Sequence, residues 1–261
     1  MRIFYHYTMI SKARIKQIHG LERKKNRQAE GLFVAEGPKL VDELLTSMSA
    51  QYIAATEEWL QAHADQLRGT PYDCINETEL QRASLQQHPQ DVIALFPIPH
   101  DVADLDVVAQ NELTLALDGV QDPGNIGTIV RLADWFGIRH LFCSTDCVDI
   151  FNPKAVQATM GALARVSVHY INLANALRKT EVPIYGTFLD GEDIYRQTLS
   201  SNGIIVMGNE GNGISQEISD LVTHRLYIPP YPADSQTVES LNVAIATAIV
   251  CSEFRRVKGE G

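Results

Sequence analysis

The strongest constraint on folding is a series of short, nearly continuous apolar runs in the second half of the chain, each followed by a stretch of helical character. The runs are Leu113–Leu117, His140–Cys143, Val166–His169, Ile184–Phe188, Gly203–Met207 and Leu226–Ile228. Runs of this length suit strands, and their lack of polar alternation requires cover on both faces. Intervening helices supply that cover, so the pattern predicts a parallel sheet of the α/β class. A final helical stretch begins near Ser240 and carries Val243, Ala246, Ile249 and Val250.

The first half is less regular. Ser11 is expected to cap a helix running to about Gln28. A strand over Gly31–Glu36 follows, then a helix through Leu40, Leu44 and Leu45, a strand over Tyr52–Ala55, a helix containing Trp59, Leu60, Ala64 and Leu67, and a strand over Asp91–Phe96. Pro97 and Pro99 stop regular structure, because proline lacks an amide donor and restrains the residue before it. These signals place an N-terminal α/β domain at residues 1–97, a polar linker at 98–112 and a C-terminal domain at 113–261.

With 261 residues and 45% hydrophobic content, the chain is ample for a buried core. No apolar run approaches the roughly 18 residues of a membrane span, and Met1–Tyr7 is too short and polar for a secretory signal. Four cysteines are too few for a disulfide scaffold, and the single Cys143/Cys147 pair has no second pair to complete a zinc site. A reducing, cytoplasmic setting without metal is the expectation.

Net charge is −10. Residues 1–30 depart from it: eight basic residues stand against Glu22 and Glu30, a local balance of +6, and the rest of the chain carries −16. A polyanion responds to such a patch within about one Debye length, 8–10 Å. Lys12, Arg14, Lys16, Arg23, Lys24, Lys25 and Arg27 are therefore candidate phosphate contacts, although a solvated amphipathic helix accounts for the same residues.

Three loops follow predicted strands, where open α/β sheets gather ligands. The first, Leu117 to Arg131, holds glycines, Pro123 and Asn125, a candidate helix cap; Arg131 lies well inside the next helix, where burial would demand an anionic partner. The second, Met207-Gly-Asn-Glu-Gly-Asn-Gly213, has three glycines in six residues, with the carboxylate of Glu210 between them. It lacks the Gly-Lys-Ser/Thr ending of a phosphate-binding loop and the glycine spacing of the dinucleotide fingerprint, which argues against a nucleotide-dependent oxidoreductase. The third runs from Tyr227 through three prolines to Val243, with Ser240 and Asn242 as candidate caps of the last helix.

Together these loops resemble the three ordered motifs of the SpoU/TrmH class of the SPOUT superfamily, the S-adenosylmethionine-dependent RNA ribose 2′-O-methyltransferases. Asp122-Pro-Gly-Asn-Ile-Gly-Thr-Ile-Val-Arg131 matches the first motif, Met207–Gly213 the second, and Ile228-Pro229 with Ser240-Leu-Asn-Val243 the third. Asn152-Pro-Lys154 and Met160-Gly-Ala162 are similar to a further family segment, and Phe33-Val-Ala-Glu-Gly-Pro-Lys39 to the start of the family's ribosomal-protein-like substrate domain. The match departs at Gln157, Pro230, the longer 231–238 segment and Ala244.

The resemblance implies a trefoil knot in the C-terminal domain, a homodimer and an RNA substrate, ribosomal RNA ahead of transfer RNA. It implies S-adenosylmethionine as cofactor, S-adenosylhomocysteine as product, and no metal. Arg131 is the implied group acting on the ribose hydroxyl, with Asn125, Glu210, Ser240 and Asn242 orienting the site. Thr187, Leu189, Gly208, Asn209, Gly213, Ile228, Leu241 and Val243 are the implied cofactor contacts. Lys39 and Lys154 join the basic arm as implied RNA contacts. A non-catalytic RNA-binding protein on the same fold would lack Asn125, Arg131 or Glu210, and all three are present.

Overall fold

The computed structural model describes residues 9–67, 69–232 and 240–256. The chain divides into two compact units: residues up to 100 together with 149–164, and residues 101–148 together with 165 onward.

Unit one begins with α1 (Lys12–Gly20), α2 (Lys24–Glu30), β1 (Leu32–Glu36), α3 (Pro38–Leu45), β2 (Tyr52–Ala55), α4 (Glu57–Ala62), β3 (Tyr72–Cys74), α5 (Glu77–Ala83) and β4 (Val92–Pro97). Its sheet has the order β1-β4-β2-β3. β4 runs antiparallel to β1 and β2, with Val34 opposite Leu95 and Ala54 opposite Ile93, and β3 is parallel to β2. Successive side chains point to opposite faces. Phe33, Ala35, Ile53, Ala55, Ala94 and Phe96 thus enter one core with Leu40, Leu44 and Trp59. Val34, Tyr52, Ala54, Ile93 and Leu95 enter a second with Ile18 and Leu80. Burial on both faces explains why these strands read as continuous apolar runs.

The single helix expected from Ser11 to Gln28 is two. Ser11 does cap α1, accepting from the Arg14 amide at 3.1 Å, but the helix stops at Gly20. Arg27 reaches back across the break and donates from Nη1 to the carbonyls of Leu21 and Glu22, both at 2.7 Å. Carbonyls at a helix end need such partners, and Asn26 Nδ2 serves Gly20 O at 2.8 Å.

Unit two holds α6 (Leu105–Asn111), β5 (Leu113–Leu117), α7 (Pro123–Trp135) and β6 (His140–Ser144). After α8 (Pro153–Thr159), which belongs to unit one, come β7 (Ser167–Ile171), α9 (Leu173–Leu177), β8 (Ile184–Asp193), β9 (Gly203–Met207), α10 (Gln216–Ser219), β10 (His224–Tyr227) and α11 (Val243–Arg256). The six strands run in the order β10-β8-β9-β5-β6-β7, and every neighbouring pair is parallel. From β5 the chain moves outward through β6 and β7, then crosses to build the other half. Adjacent β5 and β9 flank that reversal, which opens a crevice at their carboxyl ends.

Ala116, Phe142, Ile204 and Val206 pack on one face with Leu105, Leu173 and Ile218 of α6, α9 and α10. Helices α7 and α11 pack against each other, and Ile126, Ile129, Val130, Val243 and Val250 on them are buried.

The structure departs from expectation at several places. β3 and α5 follow no apolar run of the sequence, and β7 and β10 are offset by one or more residues from the apolar runs. Residues 98–112 are not wholly linker: Asp104 accepts from the amides of Asp106 and Val107, starting α6, and Leu105 and Ala109 are buried. Residues 149–164 leave the C-terminal half to join unit one, where Val156 enters the core and the Phe33 and Phe151 rings lie 5.0 Å apart. Among the described residues no helix is long and apolar enough to cross a membrane.

Candidate active site

The first motif loop leaves β5 at Asp118. Asp122, rather than Asn125, caps α7: its carboxylate accepts from the Asn125 amide at 2.8 Å. The Asn125 side chain is thereby left for longer-range work. Its Nδ2 donates to Glu210 Oε1 at 2.9 Å and its Oδ1 accepts from Asn242 Nδ2 at 3.0 Å. One amide thus joins residues of all three motif loops.

The second loop closes on itself after β9, with Asn209 and Gly213 exchanging both backbone hydrogen bonds at 2.9 Å. Asn209 Oδ1 accepts from the amides of Gly211 and Asn212, and its Nδ2 donates to Gly119 O at 2.7 Å. The Asn209 side chain therefore builds the loop and ties it to the first motif. Gly208 sits so close to Gly213 and Ile214 that a Cβ there would overlap their backbone, so only glycine lets the loop fold back. Two acidic residues not foreseen as site residues complete this part. Asp118, buried at the end of β5, accepts from the Ser215 amide at 2.6 Å. Asp146 accepts from Ser144 Oγ at 2.5 Å while that oxygen accepts from the Gly119 amide. Gly119 has φ +67°, and a Cβ there would press on the Asp146 carboxylate. An acidic residue directly after a buried strand was the available signal for Asp118.

In the third loop, Asn242 caps α11, accepting from the amides of Ala244 and Ile245 at 2.9 and 3.3 Å. Ser240 is exposed and makes no hydrogen bond among the described residues. Most of the 231–238 departure lies in residues 233–239, outside the described residues. Ala244 is buried.

Of the implied cofactor contacts, Ile228 is half-buried, Leu241 is exposed and Val243 is buried. Thr187 lies beside the end of β9, its Oγ1 4.0 Å from Met207 Sδ. Leu189 is largely exposed within β8, between Phe188 and Asp190, which Arg225 holds: its guanidinium lies 3.5 Å from the centre of the Phe188 ring and donates to Asp190 at 2.6 Å. The Asp190 carboxyl is held below its usual range by that hydrogen bond.

Arg131 is exposed on α7, and among the described residues it pairs with no carboxylate. Of the two readings left open, a buried arginine with an anionic partner or a surface arginine, the second holds: position 131 lies on the solvent side of α7. No group of three or more potential metal ligands occurs among the described residues.

The basic arm of unit one divides sharply. Lys12, Lys16, Arg23, Lys24 and Lys25 are exposed, as are Lys39 on α3 and Lys154 on α8. Arg14 is half-buried, its guanidinium 3.9 Å from the centre of the Tyr52 ring and bonded to Gln17 at 2.6 Å. Arg27 is corrected as an RNA contact. It is 1% exposed and pairs with Asp149 at 2.6 Å, which anchors the 149–164 segment to α2.

A family model described as the SpoU rRNA Methylase family matches residues 112–252, and one described as an MRM3-like substrate binding domain matches residues 12–94. The 23S rRNA (guanosine(2553)-2′-O)-methyltransferase RlmP of Bacillus subtilis is 28% identical over 246 residues, covering 93% of this chain and 96% of its own. The solved structure of a TrmH-family protein from Porphyromonas gingivalis is 42% identical with a TM-score of 0.84, covering 96% of this chain and all 100% of the other. An AdoMet-bound rRNA methyltransferase from Sinorhizobium meliloti is 27% identical with a TM-score of 0.82, over 97% and 98% of the two chains. With ordered motif loops meeting at Asn125 and a profile match over more than half its length, the chain belongs to the SpoU rRNA methylase family.

Proposed function

We propose that the protein transfers a methyl group from S-adenosylmethionine to a ribose 2′-hydroxyl of ribosomal RNA, releasing S-adenosylhomocysteine and a proton. The observation that carries this reading is the Asn125 side chain bonded at once to Glu210 and Asn242, since it gathers at one point the polar groups of three loops.

The residues present fit the cofactor. Gly208 has no room for a side chain, so its loop offers backbone rather than bulk, and Ile228 and Leu241 provide apolar surface for an adenosyl group. When bound, the cofactor supplies an electrophilic methyl on a sulfonium. The chain's own task is to hold the ribose oxygen in line and favour its negative charge. Arg131 is suited to this because it is exposed and unpaired among the described residues. A guanidinium is a permanent cation, so Arg131 acts as an electrostatic stabiliser of the ribose oxygen and a grip on the neighbouring phosphate. Asn125, Glu210 and Asn242 position the loops around it, and Ser240 remains open to the substrate.

The reading includes a cytoplasmic homodimer and a knotted C-terminal segment. Supporting the knot, β10 lies at the sheet edge, whereas α11, next in sequence, packs on the helix that follows β5. Mass-spectrometric mapping of ribose methylation, in RNA from cells with and without the gene, tests the function. One 2′-O-methyl group is expected to vanish from ribosomal RNA. Loss from transfer RNA alone would overturn the substrate, and no loss would overturn the activity.

A further inference from the structure

Unit one carries an open cleft of about 490 Å³ between β1, the segment after α5, and α8, within the usual range of small-ligand sites. All of its lining belongs to this unit, and none of it to the motif loops. Its walls differ in chemistry. Val34, Leu85, Pro153 and Ala158 supply apolar surface. Gln86 and Gln157 supply amides, joined to each other by a 2.9 Å hydrogen bond from Gln86 Nε2. Glu36 is buried, its carboxylate accepting from the Ser84 hydroxyl and from the Leu85 amide at 2.9 Å. A carboxylate has about four acceptor sites, so Glu36 keeps capacity for further donors.

The charge distribution restricts what such a cleft admits. Glu22 and Glu36 repel a phosphate from the interior, while Lys154, exposed, is the one cation among the described lining residues. Apolar walls with amides and acceptors suit the face and edge of an unstacked base, the part of RNA that proteins read most specifically. Among the bases, guanine offers a ring N1–H beside an exocyclic amine, a donor pair matched to a carboxylate. Adenine would instead turn its N1 lone pair toward that acceptor.

We infer that this cleft receives an unstacked guanine of the RNA, at a nucleotide other than the methylated one, with Glu36 accepting from the base edge, the Gln86–Gln157 pair bounding it and Lys154 meeting its phosphate. The inference rests on the RNA-methyltransferase reading and adds to it a second contact that selects the substrate.

The full chain titrated with GMP, IMP and AMP, followed by the side-chain amide NMR signals of Gln86 and Gln157, tests it. GMP is expected to move both signals and to bind roughly fivefold tighter than IMP, which lacks the exocyclic amine, as suits one hydrogen bond. AMP is expected to bind weaker still. Gln157→Ala should weaken GMP several-fold and raise the KM for ribosomal RNA while kcat holds. Equal responses to GMP and AMP, or unmoved signals in a protein that methylates ribosomal RNA, would overturn the guanine site. A selective GMP response without any RNA methylation would support the site and overturn the proposed activity instead.

Discussion

Arg27 in unit one and Arg131 in unit two both sit on helices and have opposite surroundings. Arg27 is enclosed, bonded to two carbonyls and to Asp149. Arg131 is exposed and, among the described residues, pairs with no carboxylate. A buried arginine with four of its five N–H donors engaged holds a fold together and presents no accessible group to a substrate. An exposed one costs little to keep and is free to meet an anion. The comparison separates structural from chemical roles within a single residue type.

The comparison breaks first at Arg27. Arg27→Ala leaves Asp149 and two carbonyls without their partner, and is expected to destabilise the protein by about 3–5 kcal/mol, read by chemical denaturation of the full chain. A loss under about 1 kcal/mol would place Arg27 with the solvated residues.

Arg131→Ala and Arg131→Lys are expected to lower kcat roughly 10²–10³-fold, the scale of losing one stabilising donor. Lysine fails to rescue because it lacks the planar fork. Stability should move by no more than about 0.5 kcal/mol, and cofactor affinity, measured by calorimetry, should hold. Parallel loss of cofactor binding would make Arg131 part of the cofactor pocket.

Substituting Lys16, Arg23, Lys24 and Lys25 together, with Arg27 left intact, sharpens the contrast within the arm. Each single-strand phosphate contact contributes about −0.7 to the slope of log affinity against log salt. The quadruple variant is expected to flatten that slope by roughly 1–3 units. An unchanged slope in RNA-binding titrations would return the arm to a solvated helical face.

The smallest effect distinguishes the units by pH. Burial raises the Glu36 carboxyl above the ordinary glutamate value of 4.5, against the opposing hydrogen bonds from Ser84 and Leu85. The native state then holds this proton more tightly than the unfolded one, so unit one loses stability as pH rises from about 4.5 through the raised value. Burial, and then the neighbouring His140, lower His169 from 6.5. The unfolded state binds that proton more readily, so unit two loses stability as pH falls below 6.5 toward the native value. Hydrogen exchange at β1 and β7 across pH 4.5–7 should show protection falling in opposite directions. Glu36→Gln and His169→Gln should each remove one trend, and a common trend at both strands would dismiss the assignment.

Much of the architecture was legible because it rests on local rules. Apolar runs such as Leu113–Leu117 and Gly203–Met207 mark strands covered on both faces, and glycines with an acidic residue after a strand mark loops at a crevice. The ordered motifs then identified the family, and with it the roles to seek. β3 and α5 escaped notice because Tyr72–Cys74 is only three residues long and lacks a continuous apolar run.

What the tertiary structure decided is which groups meet. Arg27 finds Asp149 across 122 residues of chain, and Asn125 finds Asn242 across 117. Distant pairing also carries residues 149–164 into unit one, whereas the cap of α7 is local, Asp122 accepting from the Asn125 amide three residues on and leaving the Asn125 side chain to join the three loops. The sequence by itself determined the strands, the loops and the chemical groups they carry, because periodicity and backbone preference act over a few neighbours. Burial and partner choice depend on which surfaces the folded chain brings together, and that information is not contained in any local window.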